Sequence, residues 1–128
     1  MNVKKGFTLI ELMVGIAIVG ILVAVAYPSY IDNIAQSARS EGQAAILRIT
    51  NLQEQYYLDN RVYVEDMNAL GLGADPFITD NTLYSIDSTG TAGYLIIATA
   101  LGVQAIRDTA CPTIQITDTG VKTPAGCW

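Results

Sequence analysis

KKGFTLIELMVGIAIVGILVAVAYPSY, residues 4–30, decides how this chain is read. Two lysines and a glycine precede a run in which, from Phe7 to Ala26, only Thr8 and Glu11 carry polar side chains. Such a run is long enough to cross a bilayer core as a helix, which takes about 20 residues. Lys4 and Lys5 should then stay on the cytoplasmic side under the positive-inside rule. Glu11 is the anomaly. An ionised side chain near the middle of a membrane helix costs about 2.5–3.5 kcal/mol on insertion scales, so a carboxylate kept there requires a partner. Gly15 and Gly20 are compatible with close helix approach, although their spacing is not GxxxG. Pro28 lacks an N–H and crowds the preceding turn, which predicts a kink or loosened helix near residues 24–28.

After Tyr30 the pattern changes without a loop signal. Ile31, Ile34, Ala35, Ala38, Gly42, Ala45, Ile46, Ile49, Leu52 and Tyr56 recur at steps of three and four. Polar residues lie off that stripe, which defines an amphipathic helix. One helix from about Phe7 to Asp59 would be roughly 80 Å long at 1.5 Å per residue. The expected organisation is a leader at 1–6, an apolar half-helix at 7–30, an amphipathic half-helix at 31–60 and a head at 61–128. Residues 61–82 read as irregular, punctuated by Gly71, Gly73 and Pro76. Tyr84–Asp87, Tyr94–Ala100 and Thr113–Thr117 read as strands, the last alternating so that Ile114 and Ile116 share one face. The segments 87–93 and 118–120 read as hairpin turns.

Composition narrows the function. The 128 residues carry a net charge of −5, and from Arg61 onward three basic residues face seven acidic ones. An acidic head lacks the electrostatic footprint of a nucleic-acid binder, so direct contact with DNA or RNA is not expected. The chain contains no histidine, which removes His-based general bases, the common triads and the usual zinc ligand sets. No catalytic residue, metal or cofactor is expected. The two cysteines, Cys111 and Cys127, read as a disulfide in an oxidising compartment, with two free buried thiols as the alternative.

Three readings compete for the N-terminus. A secretory signal peptide would be cut at Ala24-Val25-Ala26, releasing a soluble exported binding protein that begins at Tyr27. An uncleaved anchor would keep the whole run. Both leave Glu11 unexplained. The third reading cuts between Gly6 and Phe7. Here Gly6, Phe7, Thr8, Leu9, Ile10 and Glu11, with Gly20 and Pro28 downstream, resemble the N-terminus of the type IV prepilins. The resemblance implies cleavage by a prepilin peptidase that also N-methylates Phe7. The new α-amino group, a cation near neutral pH, can then meet Glu11 of a neighbouring subunit.

Residues 35–63 resemble the second half of the pilin helix. Cys111, Cys127 and Trp128 resemble the ending of PilE-like minor pilins, in which a cysteine pair closes the C-terminal loop. The implied fold is α+β, with a long N-terminal helix packed on a small antiparallel sheet. The implied role is a minor subunit of a type IV pilus, assembled through Glu11, Gly20 and Pro28 and supporting adhesion, twitching motility or DNA uptake. Its partners would be other pilins, the prepilin peptidase and the assembly machinery of the inner membrane. Its location would be that membrane, with the head periplasmic, and then the cell-surface fibre. A major pilin or a type II secretion pseudopilin is the nearest alternative.

Three lesser candidates remain. Asp118-Thr119-Gly120 is the aspartic-protease tripeptide, but Asp and Gly also favour turns for backbone reasons. Asp75, Asp80 and Asn81 are candidate calcium donors that lack the EF-hand loop pattern. Tyr56, Tyr57, Tyr63 and Tyr84 read as rings bridging helix and sheet, and Trp128 as a cover for the loop or a subunit contact.

Overall fold

The computed structural model describes residues 6–128; the expected leader cleaved at 1–6 therefore lies outside the described residues except for Gly6, as do Lys4 and Lys5. Helix α1 runs Leu9–Asn60 without interruption through Pro28. The chain divides into two compact units, one reaching Asn33 and the other Ile34–Trp128.

In the first unit every described side chain from Gly6 to Tyr30 is exposed, including Phe7, Leu9, Ile10, Leu12 and Ile21. This is an apolar helix all round, and it is long and apolar enough to cross a membrane. Pro28 does not end the helix, because proline removes only one backbone donor and membrane helices tolerate it.

The second unit begins with the amphipathic part of α1. Its buried positions are Ala35, Ala38, Gly42, Ile46, Ile49 and Gln53, again at steps of three and four. The sequence stripe is followed to its end, with Leu52 and Tyr56 partly buried against the core, and it is joined by the fully buried Gln53. Gln53 is buried because it replaces a missing backbone ladder. Its amide nitrogen donates to the carbonyl of Val64 and to Ser88 Oγ, and its Oε1 accepts from Val64 N at 3.1 Å. One glutamine thus pins the segment after α1 to the sheet.

The sheet has five antiparallel strands in the order of the chain: β1 Phe77–Ile78, β2 Tyr84–Thr89, β3 Leu95–Ala100, β4 Thr113–Thr117 and β5 Lys122–Thr123. Ile86, Ala98 and Ile114 lie opposite one another across three strands, and so do Ile96 and Ile116. This in-register row faces Ile46 and Ile49 of α1, with Met67 and Leu70 from a 3-10 turn at Met67–Leu70 filling the same core. The expected irregular span 61–82 therefore contains that turn and a short edge strand. Both were invisible to periodicity because neither is long enough to show one. A short helix, α2 Gly102–Arg107, connects β3 to β4.

At Gly42 α1 lies close against a side chain of the sheet. A Cβ there would stand 3.1 Å from Cγ of the buried Tyr84 ring. The Cys111–Cys127 disulfide is present, with Cα atoms 5.8 Å apart, and both cysteines belong to the core. Asp118-Thr119-Gly120 forms the β4–β5 turn: Gly120 N donates to the Thr117 carbonyl at 2.9 Å with a φ of 79°. The residues expected as a turn at 87–93 are partly strand, since β2 continues to Thr89.

Replacing Gly42 by valine should push Tyr84 off its seat and cost about 1–3 kcal/mol, as overpacking does in other cores. Ala44→Val, on the exposed face of the same turn, should be close to neutral. Denaturant melts of the two full-length variants would measure the difference, and equal midpoints would contradict the contact.

Candidate assembly site

The first turn of α1 explains how Glu11 is accommodated within its own chain. Thr8 precedes the helix and Glu11 stands three residues later. Glu11 Oε2 accepts from Thr8 N at 2.9 Å and from Thr8 Oγ1 at 2.7 Å, while Glu11 N donates back to Thr8 Oγ1 at 3.3 Å. This is the reciprocal pattern of a capping box, in which side chains satisfy the backbone donors that a helix start leaves unpaired. The carboxylate also sits at the positive end of the helix dipole. The sequence reading overlooked this local partner, although Thr-x-x-Glu before an apolar run is the recognised signature and stands in the quoted stretch.

Beside the cap lies an apolar surface groove of about 510 Å³ lined by Phe7, Glu11, Leu12, Gly15, Ile16 and Val19. Gly15 opens it: a Cβ there would meet nothing within 4 Å. Gly15 was noted in the sequence for close approach and not assigned to the site. Gly20 is likewise bare, and neither it nor Pro28 lines the groove. Tyr27 and Tyr30 form a separate shallow depression with Val23 and Ala26.

The remaining candidates fall elsewhere. Asp75 lines a groove with Glu65, Asp66 and Asp87, whereas Asp80 lines another with Glu41 and Arg48. Asn81 donates to Glu41 Oε2 at 2.8 Å. The three presumed calcium donors are thus not brought together. Of the tyrosines, Tyr84 is fully buried, and Tyr57, Tyr63 and the unforeseen Tyr94 form a chain of ring contacts at 4.7 and 4.8 Å. Burial, and then the nearby Glu54, push the Tyr94 phenol up to about 12. It stays protonated and donates to Glu54 at 3.2 Å. Trp128 covers the C-terminal loop: its indole N–H donates to the Thr123 carbonyl at 3.3 Å, and Lys122 lies over its ring at 4.7 Å.

A long helix that is apolar all round at its start and packs one stripe against a small sheet defines a pilin-like α+β protein. Comparisons with known proteins bear this out. Residues 28–115 match the family model described as type IV minor pilin ComP, DNA uptake sequence receptor, and residues 1–27 match the prokaryotic N-terminal methylation motif. The chain belongs to the type IV pilin family.

The fimbrial protein EcpC of Eikenella corrodens is 46% identical over 73 residues, covering 57% of this chain and 48% of EcpC. The type IV major pilin PilE of Neisseria gonorrhoeae is 41% identical over 77 residues, covering 60% and 46%. The chain thus spans about half the length of these two relatives. The type IV major alpha-pilin of Moraxella bovis is 35% identical over an alignment covering all of this chain and 85% of that protein. Among solved structures, a type IV pilin from Shewanella oneidensis shares the fold with a TM-score of 0.57 at 21% identity, over 73% of this chain and 97% of that one.

Thr8→Val should remove both bonds made by the Thr8 hydroxyl and speed amide exchange at Glu11 and Leu12 by about fivefold, the order expected when a helix cap is lost. Thr8→Ser should not. Exchange measured on the full chain in detergent micelles would decide between them.

Proposed function

We propose that this chain is a structural subunit of a type IV pilus, processed between Gly6 and Phe7, N-methylated on Phe7, and packed into the fibre through α1. The supporting observation is the apolar half-helix with a carboxylate in its first turn. In lipid, and again in a helical bundle, its exposed apolar side chains leave water. The match to the methylation motif supports peptidase processing at the quoted site. Placement in the inner membrane before assembly, with the head periplasmic, follows from the positive-inside reading of Lys4 and Lys5. The role is mechanical and non-catalytic. A minor rather than a major subunit fits the matched family model, although the named relatives include major pilins.

Glu11 then has two tasks. Before assembly it caps its own helix. In the fibre it faces the α-amino group of an adjoining Phe7, and the groove opened by Gly15 receives part of that neighbour. Two ionic groups that would each be costly in apolar surroundings neutralise one another, and the pair contributes register more than stability. Gly20 and Pro28 mark where α1 yields as subunits pack.

The variant Glu11→Gln separates the tasks. Glutamine can fill the same place in a capping box but carries no charge. It should therefore insert into the membrane normally and be depleted from fibres, as probed in fractionated cells and sheared pili. Incorporation at the wild-type level would remove the charge argument and leave Glu11 as a cap alone.

The matched family model also suggests a second role, DNA reception during uptake. The head offers little for phosphate binding. Arg39 is paired with Asp108, and the exposed cations of the head, Arg48, Arg61, Arg107 and Lys122, stand among many exposed acids. The expected result is no gel retardation of duplex DNA by the full chain at low salt. A shift that weakens as salt rises would instead assign the receptor role to this chain.

A further inference from the structure

Helix α2 holds two aliphatic side chains in water. Val103 and Ile106 stand one turn apart and are 50% and 76% exposed. The side chain between them is fixed in the opposite sense. Gln104 is buried, and its amide nitrogen donates to the Ala35 carbonyl at 2.9 Å and to the Tyr84 hydroxyl at 3.1 Å, with Asp108 Oδ2 at 3.3 Å. Asp108, also buried, closes the helix by donating its N–H to the Gln104 carbonyl at 2.9 Å, and its carboxylate accepts both Nε and Nη2 of Arg39. The polar clamp ties α2 to Ala35 and Arg39 of α1, so α2 cannot roll to hide its apolar face.

The anchor point says what that face meets. Ala35 lies five residues after Tyr30, and five residues of chain reach at most about 17 Å in any conformation. Tyr27 and Tyr30, both exposed, close the apolar run. Tyrosines with an apolar body and a polar tip favour the membrane–water interface, which sets the lipid boundary near residues 27–30. Arg107 follows Ile106 and is exposed, and α2 itself contains no acid. The acid next to it, Asp108, is already paired with Arg39. A short apolar face edged by a cation suits an anionic lipid surface.

We propose that α2 docks on the non-cytoplasmic surface of the bilayer that α1 crosses, with Val103 and Ile106 in the headgroup–acyl boundary and Arg107 on anionic headgroups. This rests on the reading of α1 as membrane-spanning. It gives the unassembled subunit a second membrane contact, one that must be released when the subunit leaves the lipid for the fibre.

The test uses the full chain in vesicles of phosphatidylethanolamine and phosphatidylglycerol, with one environment-sensitive fluorophore attached through Val19→Cys, Ile106→Cys or Val121→Cys. Cys111 and Cys127 are disulfide-bonded and take no label. Val121 is exposed on the β4–β5 turn, at the other end of β4 from α2. Lipid-borne nitroxide should quench the Ile106 probe about threefold more than the Val121 probe, as shallow interfacial insertion requires. Adding Val103→Asp and Arg107→Gln should abolish the difference. Strong quenching at Val19 with equal, weak quenching at Ile106 and Val121 overturns the docking and leaves the membrane helix standing. Absence of quenching at Val19 overturns both. Shielding of Ile106 from aqueous iodide only at high protein density would show a second copy as the occupant, and would also overturn the proposal.

Discussion

The structure depends on apolar burial being distributed in two different ways along one helix. From Leu9 to Tyr30 the side chains of α1 are apolar on nearly every face, and among the described residues all of them are exposed. From Ala35 onward only one stripe is apolar, and it is sealed by a five-stranded sheet. The backbone can serve both situations because an α-helix satisfies its own hydrogen bonds whether water, lipid or protein surrounds it. In the proposed function the exposed half supplies the drive toward a bundle of similar helices; the covered half belongs to the folded head.

Polar groups are placed where this division would otherwise fail. The side chains of Thr8 and Glu11 satisfy two backbone donors at the start of α1, Thr8 N and Glu11 N, without needing water. Gln53 takes over from the helix ladder where the chain leaves α1 and carries Val64 against Ser88 of the sheet. Gln104 and Asp108 fasten α2 to the helix at Ala35 and Arg39. The first two satisfy backbone groups beside the ends of α1, where unpaired groups are costly, and the third joins two helices side chain to backbone and side chain to side chain. The capping box also changes how Glu11 is understood. Within the isolated chain the carboxylate already has a partner in Thr8, so the intermolecular role proposed for it concerns registry between subunits.

The head is held together by packing more than by charge. Gly42 lets the Tyr84 ring approach α1, the Ile86–Ala98–Ile114 row lines the inner face of the sheet, and the disulfide belongs to the same core. Among the described residues the ion pair between Arg39 and Asp108 is the one salt bridge, and it is anchored by the buried Gln104. Its function is positional, since buried pairs contribute little net stability.

Sequence alone determined α1, its change from all-round to one-sided hydrophobicity, and the three long strands, because periodicity over many residues is a direct record of which faces meet water. It also left one possible intrachain disulfide, since only two cysteines exist, and the structure decided between that bridge and two free thiols. It contained the cap at Thr8 and Glu11 in plain form, yet the absence of a polar context drew attention to a distant partner instead. Tertiary structure decided the rest. β1, β5, the 3-10 turn at Met67–Leu70 and α2 are too short to carry a period, and β1 and β5 exist only because a neighbouring strand supplies their hydrogen bonds. Gln53, Gln104 and Asp108 look like surface residues by type, and they are buried because the fold brings them partners that are 11, 69 and 69 residues away. Long-range pairing of that kind leaves no local trace in a sequence, which is why the residues that fix the head in place were the ones left unread.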